Sequence, residues 1–282
     1  MHLISGTAGL QLTEKLAAIL KRPILDTTIK RFPDNELYVR INKDISNEHI
    51  IIVQTTYPDE KIIELLLLQN AVRDAGATQI TTIIPYYGYS RQDKKFKQGE
   101  PISAQVLAHH IEIDTDKIIT IDPHKKYILD FFTKPAKCVS AITEIAKFLQ
   151  KKGADMLLAP DKGALGRTQE AAAIIGCDCD YLEKTRIDGS TVKMEPKNLD
   201  VTGKSVAIID DIISTGGTMA MAIKELKKQE AKKVFAACTH GLFIGNAVEK
   251  LKKAGCDEII ATDTVNNEYS KVSTAPCLIN LL

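Results

Sequence analysis

The sequence predicts an α/β fold made of one unit used twice. Two observations carry that expectation: short apolar strands alternate with helical patterns through the 282 residues, and the alternation recurs at a fixed offset. Ile50-Ile51-Ile52-Val53 suits a buried strand, and Lys61 to Ala75 sets Ile62, Leu65, Leu66, Gln69, Val72 and Arg73 at helical spacing before Gly76. Ile80 to Ile84 is the next strand, which completes the strand–helix–strand unit of parallel sheets. The unit returns as a strand at Val206 to Ile209, a helix at Thr218 to Gln229 and a strand at Lys233 to Ala237. Positions 53 and 208 differ by 155, as do 80 and 235. The same offset lays Leu3-Ile4-Ser5-Gly6 against Leu158-Ala159-Pro160-Asp161, and Ala17-Ala18-Ile19 against Ala172-Ala173-Ile174. Further on, Lys117 to Asp122 echoes Asp257 to Asp263 at about 141, so the first copy carries an insertion of about 14 residues, placed at Tyr89 to Pro101. Two homologous domains follow, residues 1–145 and 146–282, with the boundary near a helix at Ala141 to Lys152.

Composition narrows the function. Hydrophobic content of 44% and charged content of 26% allow an ordinary buried core. A net charge of +1 gives no electrostatic case for nucleic acid or an anionic membrane. Arginine is scarce (Arg22, Arg31, Arg40, Arg73, Arg91, Arg167 and Arg186), so an arginine inside a motif carries weight. The six cysteines, Cys138, Cys177, Cys179, Cys238, Cys256 and Cys277, include no CxxC pair, and read as free thiols in a reducing compartment. Met1 to Gly6 lacks the basic and apolar regions of a signal peptide, and Ile62 to Leu68 is too short to span a bilayer. A soluble cytoplasmic protein is the expectation.

The two copies differ where chemistry belongs. After the second-copy strand stand Asp210 and Asp211, where the first copy has Thr55 and Thr56. Ile212-Ile213-Ser214-Thr215-Gly216-Gly217-Thr218 then opens a helix. In open α/β sheets ligands bind beyond the carboxyl ends of strands. Amides at a helix start favour phosphate, glycines let the backbone close around it, and Ser214, Thr215 and Thr218 add hydroxyl donors. Carboxylates repel phosphate, so the two acids suit a sugar's hydroxyls, or a cation lying on them. A phosphorylated ribose meets both demands; a capped turn with two surface acids is the bland alternative. No GxxxxGK[ST] loop is present.

This strand–DDxxSTGGT–helix pattern resembles the ribose-5-phosphate loop of the phosphoribosyltransferase superfamily. Arg31-Phe32-Pro33-Asp34-Asn35-Glu36, Tyr89-Ser90-Arg91-Gln92-Asp93-Lys94, Ile121-Asp122-Pro123-His124, Ala159-Pro160-Asp161-Lys162-Gly163-Ala164 and Thr239-His240-Gly241 go further. Together they resemble the signatures of ribose-phosphate pyrophosphokinase, also called phosphoribosyl pyrophosphate synthetase, over essentially the whole chain. The resemblance implies two phosphoribosyltransferase-like domains, each a mostly parallel sheet flanked by helices. It also implies transfer of the pyrophosphoryl group of Mg-ATP to the 1-hydroxyl of ribose 5-phosphate, giving phosphoribosyl pyrophosphate and AMP. Phe32, Asp34, Asn35, Glu36, Arg91 and Gln92 would bind ATP. His124 and Asp161 would ligate Mg²⁺. Lys184 and Arg186 would be the catalytic pair, Arg186 also meeting ribose 5-phosphate with Asp210, Asp211, Ser214, Thr215, Gly216, Gly217 and Thr218. A homo-oligomer is implied, with a dimer as minimum unit and a tetramer or hexamer as larger alternatives.

Residue chemistry agrees with those roles. Pyrophosphoryl transfer needs alignment and cations more than covalent work from the protein. Thr185 to Pro196 is polar, contains Asp188-Gly189-Ser190 and lacks sustained periodicity, which reads as a closing lid. Many relatives carry an acid where this chain has Ser214, which implies altered affinity rather than loss of activity. Two rivals stay open at this point: a phosphoribosyltransferase that consumes the diphosphate, and a non-catalytic regulatory paralogue.

Overall fold

A computed structural model of the chain describes residues 1–186, 192–196 and 200–282, with the side chains of 184–186 and 192–196 outside that description. Two compact units result: Met1–Ser140 with Asp263–Asn266 and Ser273–Leu282, and Ala141–Thr262 with Asn267–Val272. The chain therefore changes unit at Ser140/Ala141, whereas a division at 145/146 falls within the helix Ile142–Lys151.

In the first unit, β1 (His2–Ser5) leads to α1 (Leu10–Leu20), and β2 (Thr27–Arg31) and β3 (Leu37–Ile41) form a separate antiparallel hairpin. β4 (His49–Val53), α2 (Glu60–Asp74) and β5 (Gln79–Ile84) are the strand–helix–strand unit read from the sequence. α3 (Ser103–Ile111), β6 (Lys117–Ile121) and β7 (Ala136–Val139) follow, and the sheet is parallel in the order β1-β4-β5-β6-β7. The continuous apolar runs are explained by burial on both faces, since Ile50, Ile51, Ile52 and Val53 are fully buried. α2 turns Leu65, Leu68, Gln69 and Val72 inward on one face.

The second unit repeats the pattern. α4 (Ile142–Lys151) buries Ile142, Ile145, Ala146 and Leu149, and precedes β8 (Met156–Ala159) and α5 (Leu165–Ile175). β9 (Asp178–Arg186) and β10 (Val192–Pro196) pair antiparallel, and residues 187–191 between them lie outside the described residues. β11 (Ser205–Ile213), α6 (Gly217–Lys228), β12 (Lys233–Gly241), α7 (Ala247–Lys253), β13 (Glu258–Thr262) and β14 (Ser270–Val272) complete a sheet ordered β10-β9-β8-β11-β12-β13-β14. Its stretch β8-β11-β12-β13-β14 has the connectivity of β1-β4-β5-β6-β7, strand for strand, with α5, α6 and α7 in the places of α1, α2 and α3. The inserted segment is residues 85–102, where the second unit needs only 242–246.

Two expectations are corrected. The strand expected to end at Ile209 runs on through both acids, because β12 continues to Gly241 and supplies partners: Asp210 opposite Cys238, Ile212 opposite His240 and Ile213 opposite Gly241. The segment Thr185 to Pro196 is not loop throughout. β9 extends to Arg186, with Val192 opposite it and Lys184 opposite Met194. Val192, Met194 and Pro196 alternate with Lys193 and Glu195, a two-residue period that a search for helical periodicity passes over.

The described cysteines are free thiols, and burial raises the Cys238 and Cys256 thiols in pKa, which keeps them protonated and unreactive. Among the described residues no helix is long and apolar enough to cross a membrane.

The last residues close the first unit. α8 (Ala275–Leu278) packs on α1, and the Asp263 carboxylate, with no exposed side-chain surface, takes Lys15 at 2.7 Å and the amide and hydroxyl of Thr274 at 2.7 Å each. Asp263→Ala leaves the buried Thr274 amide without its acceptor. We expect a loss of roughly 2–3 kcal/mol in urea unfolding, together with faster proteolysis after residue 272.

Candidate active site

The second unit builds its loop from the strand upward. β11 carries Asp210 and Asp211 at its carboxyl end, and five residues on, Gly216 adopts φ +71°, a left-handed conformation that suits glycine. A Cβ there would lie 3.3 Å from the Ala247 carbonyl oxygen. α6 begins at Gly217, and its first internal bond, from the Ala220 amide to the Gly216 carbonyl, measures 2.9 Å. The amides of Gly217, Thr218 and Met219 are those that a helix leaves without an intrahelical partner. Ser214 is half-buried, Thr215 and Thr218 are exposed, and the loop has no basic side chain of its own.

The two acids are not equivalent. Asp211 is buried, and its Oδ2 lies 3.6 Å from Arg167 Nη2 on α5. Asp210 accepts the Asp211 amide at 2.8 Å, and burial, then the neighbouring carboxylate, raises its pKa. Arg167 was not singled out by sequence; the available signal was the scarcity of arginine. A carboxylate unfavourably placed in the folded chain costs stability wherever it is ionised.

The residues expected to serve ATP lie in the first unit, on two segments. Phe32 to Glu36 form the tip of the β2–β3 hairpin, where Phe32 is 46% exposed and meets Tyr38 edge-on at 5.5 Å. The tip is internally braced. The Phe32 and Asn35 amides bond Glu36 O and Phe32 O, Asp34 accepts the Glu36 amide at 3.1 Å, and Asn35 has φ +73°. Arg31, also outside the sequence-based set, donates to Asn35 O at 2.6 Å and reaches Glu60 at 3.1 Å. Arg91 is exposed on the insertion. Gln92 uses its amide group inward instead, donating to Lys94 O at 3.3 Å and to Glu100 at 3.2 Å. The insertion and the hairpin are tied to adjacent residues at the start of α2, through Tyr89 to Asp59 and Arg31 to Glu60.

The expected metal ligands fall in separate units, His124 after β6 and Asp161 after β8. Asp161 is exposed and its Oδ1 accepts the Gly163 amide at 2.7 Å and the Ala164 amide at 3.3 Å. Its other oxygen fits a hard cation that keeps most of its waters, and His124 is half-buried. Among the described residues no three His, Cys, Asp or Glu side chains converge as a metal cage, so a cation here would rely on ligands brought by a substrate. Lys184 and Arg186 lie on β9, with their side chains outside the described residues; β10, paired with that strand, runs beside α6.

The raised pKa of Asp210 sets a pH dependence. Its folded pKa exceeds its unfolded one, so both states are neutral at that position below about pH 4, and the folded chain loses stability as pH rises from there through the raised value. Asp210→Asn keeps the acceptor for the Asp211 amide without the charge. The variant should melt a few degrees above the parent at pH 8 without ligand and level with it near pH 4, which a thermal-unfolding series over pH checks.

Comparison with known proteins agrees with the doubled architecture. Residues 1–113 match the N-terminal domain of ribose phosphate pyrophosphokinase, and residues 133–274 match the phosphoribosyl transferase domain. The ribose-phosphate pyrophosphokinase of Methanosarcina acetivorans is 43% identical, with 100% of this chain and 99% of the relative covered. That of Pyrococcus furiosus is 44% identical over 93% of this chain and 94% of the relative. The crystal structure of phosphoribosylpyrophosphate synthetase from Mycobacterium smegmatis superposes with a TM-score of 0.87 at 29% identity, covering 99% of this chain and 96% of that one. With both halves matched and relatives this close over the full length, the chain belongs to the ribose-phosphate pyrophosphokinase family, transferases with two phosphoribosyltransferase-like domains.

Proposed function

We propose that the chain transfers the pyrophosphoryl group of Mg-ATP to ribose 5-phosphate, yielding phosphoribosyl pyrophosphate for nucleotide biosynthesis. The supporting observation is the loop after β11, where amides at the start of α6 stand next to two carboxylates. An anion and a polyol are wanted within a few residues of each other, and a pentose phosphate supplies both. Ser214, Thr215, Gly216, Gly217 and Thr218 hold the 5-phosphate, and Asp210, with Asp211 beside it, accepts from the ribose hydroxyls. The exposed Phe32 ring stacks on adenine, and the polar groups of Asp34, Asn35 and Glu36 meet the base edge. Arg91 takes the phosphates; Gln92 acts chiefly by shaping the loop that presents Arg91.

In the reaction, the ribose 1-oxygen forms a bond to the β-phosphorus of ATP. The bond from that phosphorus to the oxygen bridging to the α-phosphorus breaks, AMP leaves with the bridging oxygen, and the hydroxyl proton passes to solvent. Mg²⁺ would supply charge neutralisation on the phosphates; Asp161 would offer it a carboxylate oxygen and His124 an imidazole nitrogen. Lys184 and Arg186 place cations on the transferring group as negative charge shifts toward the leaving phosphate. The working protein is a cytoplasmic homo-oligomer with a dimer as its smallest unit.

Mixing the purified chain with Mg²⁺, ATP and ribose 5-phosphate should yield AMP and phosphoribosyl pyrophosphate in equal amounts; ADP in place of AMP, or no turnover, removes the reading. Lys184→Ala should lower kcat by roughly 10²- to 10³-fold with both KM values nearly unchanged, since a transition-state cation is lost. Unchanged turnover in that variant removes the catalytic role of Lys184.

A further inference from the structure

We infer that Lys250, with the turn of residues 242–246 before it, positions the phosphate loop by holding its carbonyls away from the ligand side. A trans peptide points its C=O and the following N–H in opposite directions. In the second unit, three consecutive carbonyls of the loop are taken up by one neighbouring segment, residues 242–250, and the fourth by α6 itself. The Leu242 and Phe243 amides donate to Ile213 O at 3.0 and 3.1 Å, and the Ile244 amide donates to Ser214 O at 3.0 Å. Lys250 Nζ stands 3.4 Å from Thr215 O, and the Ala220 amide donates to Gly216 O at 2.9 Å. The amides that follow, of Ser214, Thr215, Gly216 and Gly217, therefore face the other way, as a run of donors for an anion.

The segment that does this is itself constrained. Phe243 has φ +45°, a left-handed conformation that an aromatic residue adopts only under outside constraint. Its ring is held edge-on to Tyr269 at 5.3 Å against the core of the second unit. Ala247, at the start of α7, crowds any side chain at position 216, where φ +71° already favours glycine. Lys250 is the one side chain in the set, and its long bond is to a backbone oxygen. It thus acts through the Thr215–Gly216 peptide rather than by direct contact with phosphate, and its positive charge further polarises that peptide's N–H toward the ligand.

The inference rests on the reading of this loop as the ribose 5-phosphate site. Lys250 is exposed, so substitutions there test function without a folding penalty. Lys250→Met should raise the KM for ribose 5-phosphate roughly threefold to tenfold, the value of one hydrogen bond, with the KM for ATP, kcat and melting temperature unchanged. Lys250→Arg should restore most of the loss. Thr218→Val serves in parallel as a direct test of the loop. If Thr218→Val raises the ribose 5-phosphate KM and Lys250→Met does not, the positioning role is wrong and the loop assignment stands. Should neither variant change that KM, the loop assignment falls, and the role of Lys250 falls with it. An equal rise in both substrates' KM values also overturns the proposal.

Discussion

A trans peptide turns each amide away from the carbonyl before it, and in the second unit the carbonyls of residues 213–216 all have partners within the fold. β12 runs from Lys233 to Gly241, well beyond the length of β5 in the first unit, and so carries the chain alongside the extended end of β11. The turn that follows arrives where its amides can take up Ile213 O and Ser214 O. Sheet length, turn placement and amide direction are links of one chain of cause. A shorter β12 would leave the loop carbonyls to water and the amides without a fixed aim.

The first unit shows the same scaffold put to other use. At the positions of Asp210 and Asp211 it has Thr55 and Thr56, both buried. Thr55 Oγ1 donates to Thr264 O at 2.6 Å, while Thr56 Oγ1 accepts the Gly88 amide at 2.7 Å and donates to Tyr86 O at 3.2 Å. No glycine stands between β4 and α2. The turn after β1 is also closed: Glu64 takes the Thr7 amide at 2.5 Å and the Thr7 hydroxyl at 2.8 Å, so a carboxylate already fills the position of an anion. Hydroxyls that seal a connection to neighbouring backbone are unavailable to a ligand. What the first unit adds to the shared framework is the insertion of residues 85–102, where the second unit has only 242–246.

That division explains what could be read in advance. Buried parallel strands are continuous apolar runs, and a duplicated chain writes them twice, so β4, α2 and β5 and their counterparts at an offset of 155 were legible. The turn between β11 and α6 was legible because glycines mark a strand-to-helix junction, as the left-handed Gly216 before α6 shows. Pairing was harder. The continuation of β11 depends on partners in β12 that no local run announces, and β9–β10 depends on alternation across a polar stretch. Gln92 reads as an exposed amide until Glu100 is seen beside it. Lys250 shares a helix with Lys252 and Lys253, and only the proximity of Thr215 sets it apart. Arg167 stood out only as one of few arginines, and its partner Asp211 lies on a different element.

Two acids beside a turn that the proposed function gives to an anion are an electrostatic conflict, and the surroundings show how it is contained. Arg167 stands against Asp211, so one negative charge is balanced within the fold. Arg167 also favours the charge on Asp210, but burial and the neighbouring carboxylate outweigh it, and the unliganded loop is correspondingly less repulsive toward phosphate than two free carboxylates would be. A ligand that carries hydroxyls changes this balance, because each donor directed at Asp210 favours the carboxylate. The acid thus becomes a good acceptor mainly when a hydroxylated ligand is in place, and a bare anion gains nothing from it. On the proposed reading the amides would attract the anion and the sugar alone would stabilise the charge on Asp210, which would favour a phosphorylated sugar over free phosphate.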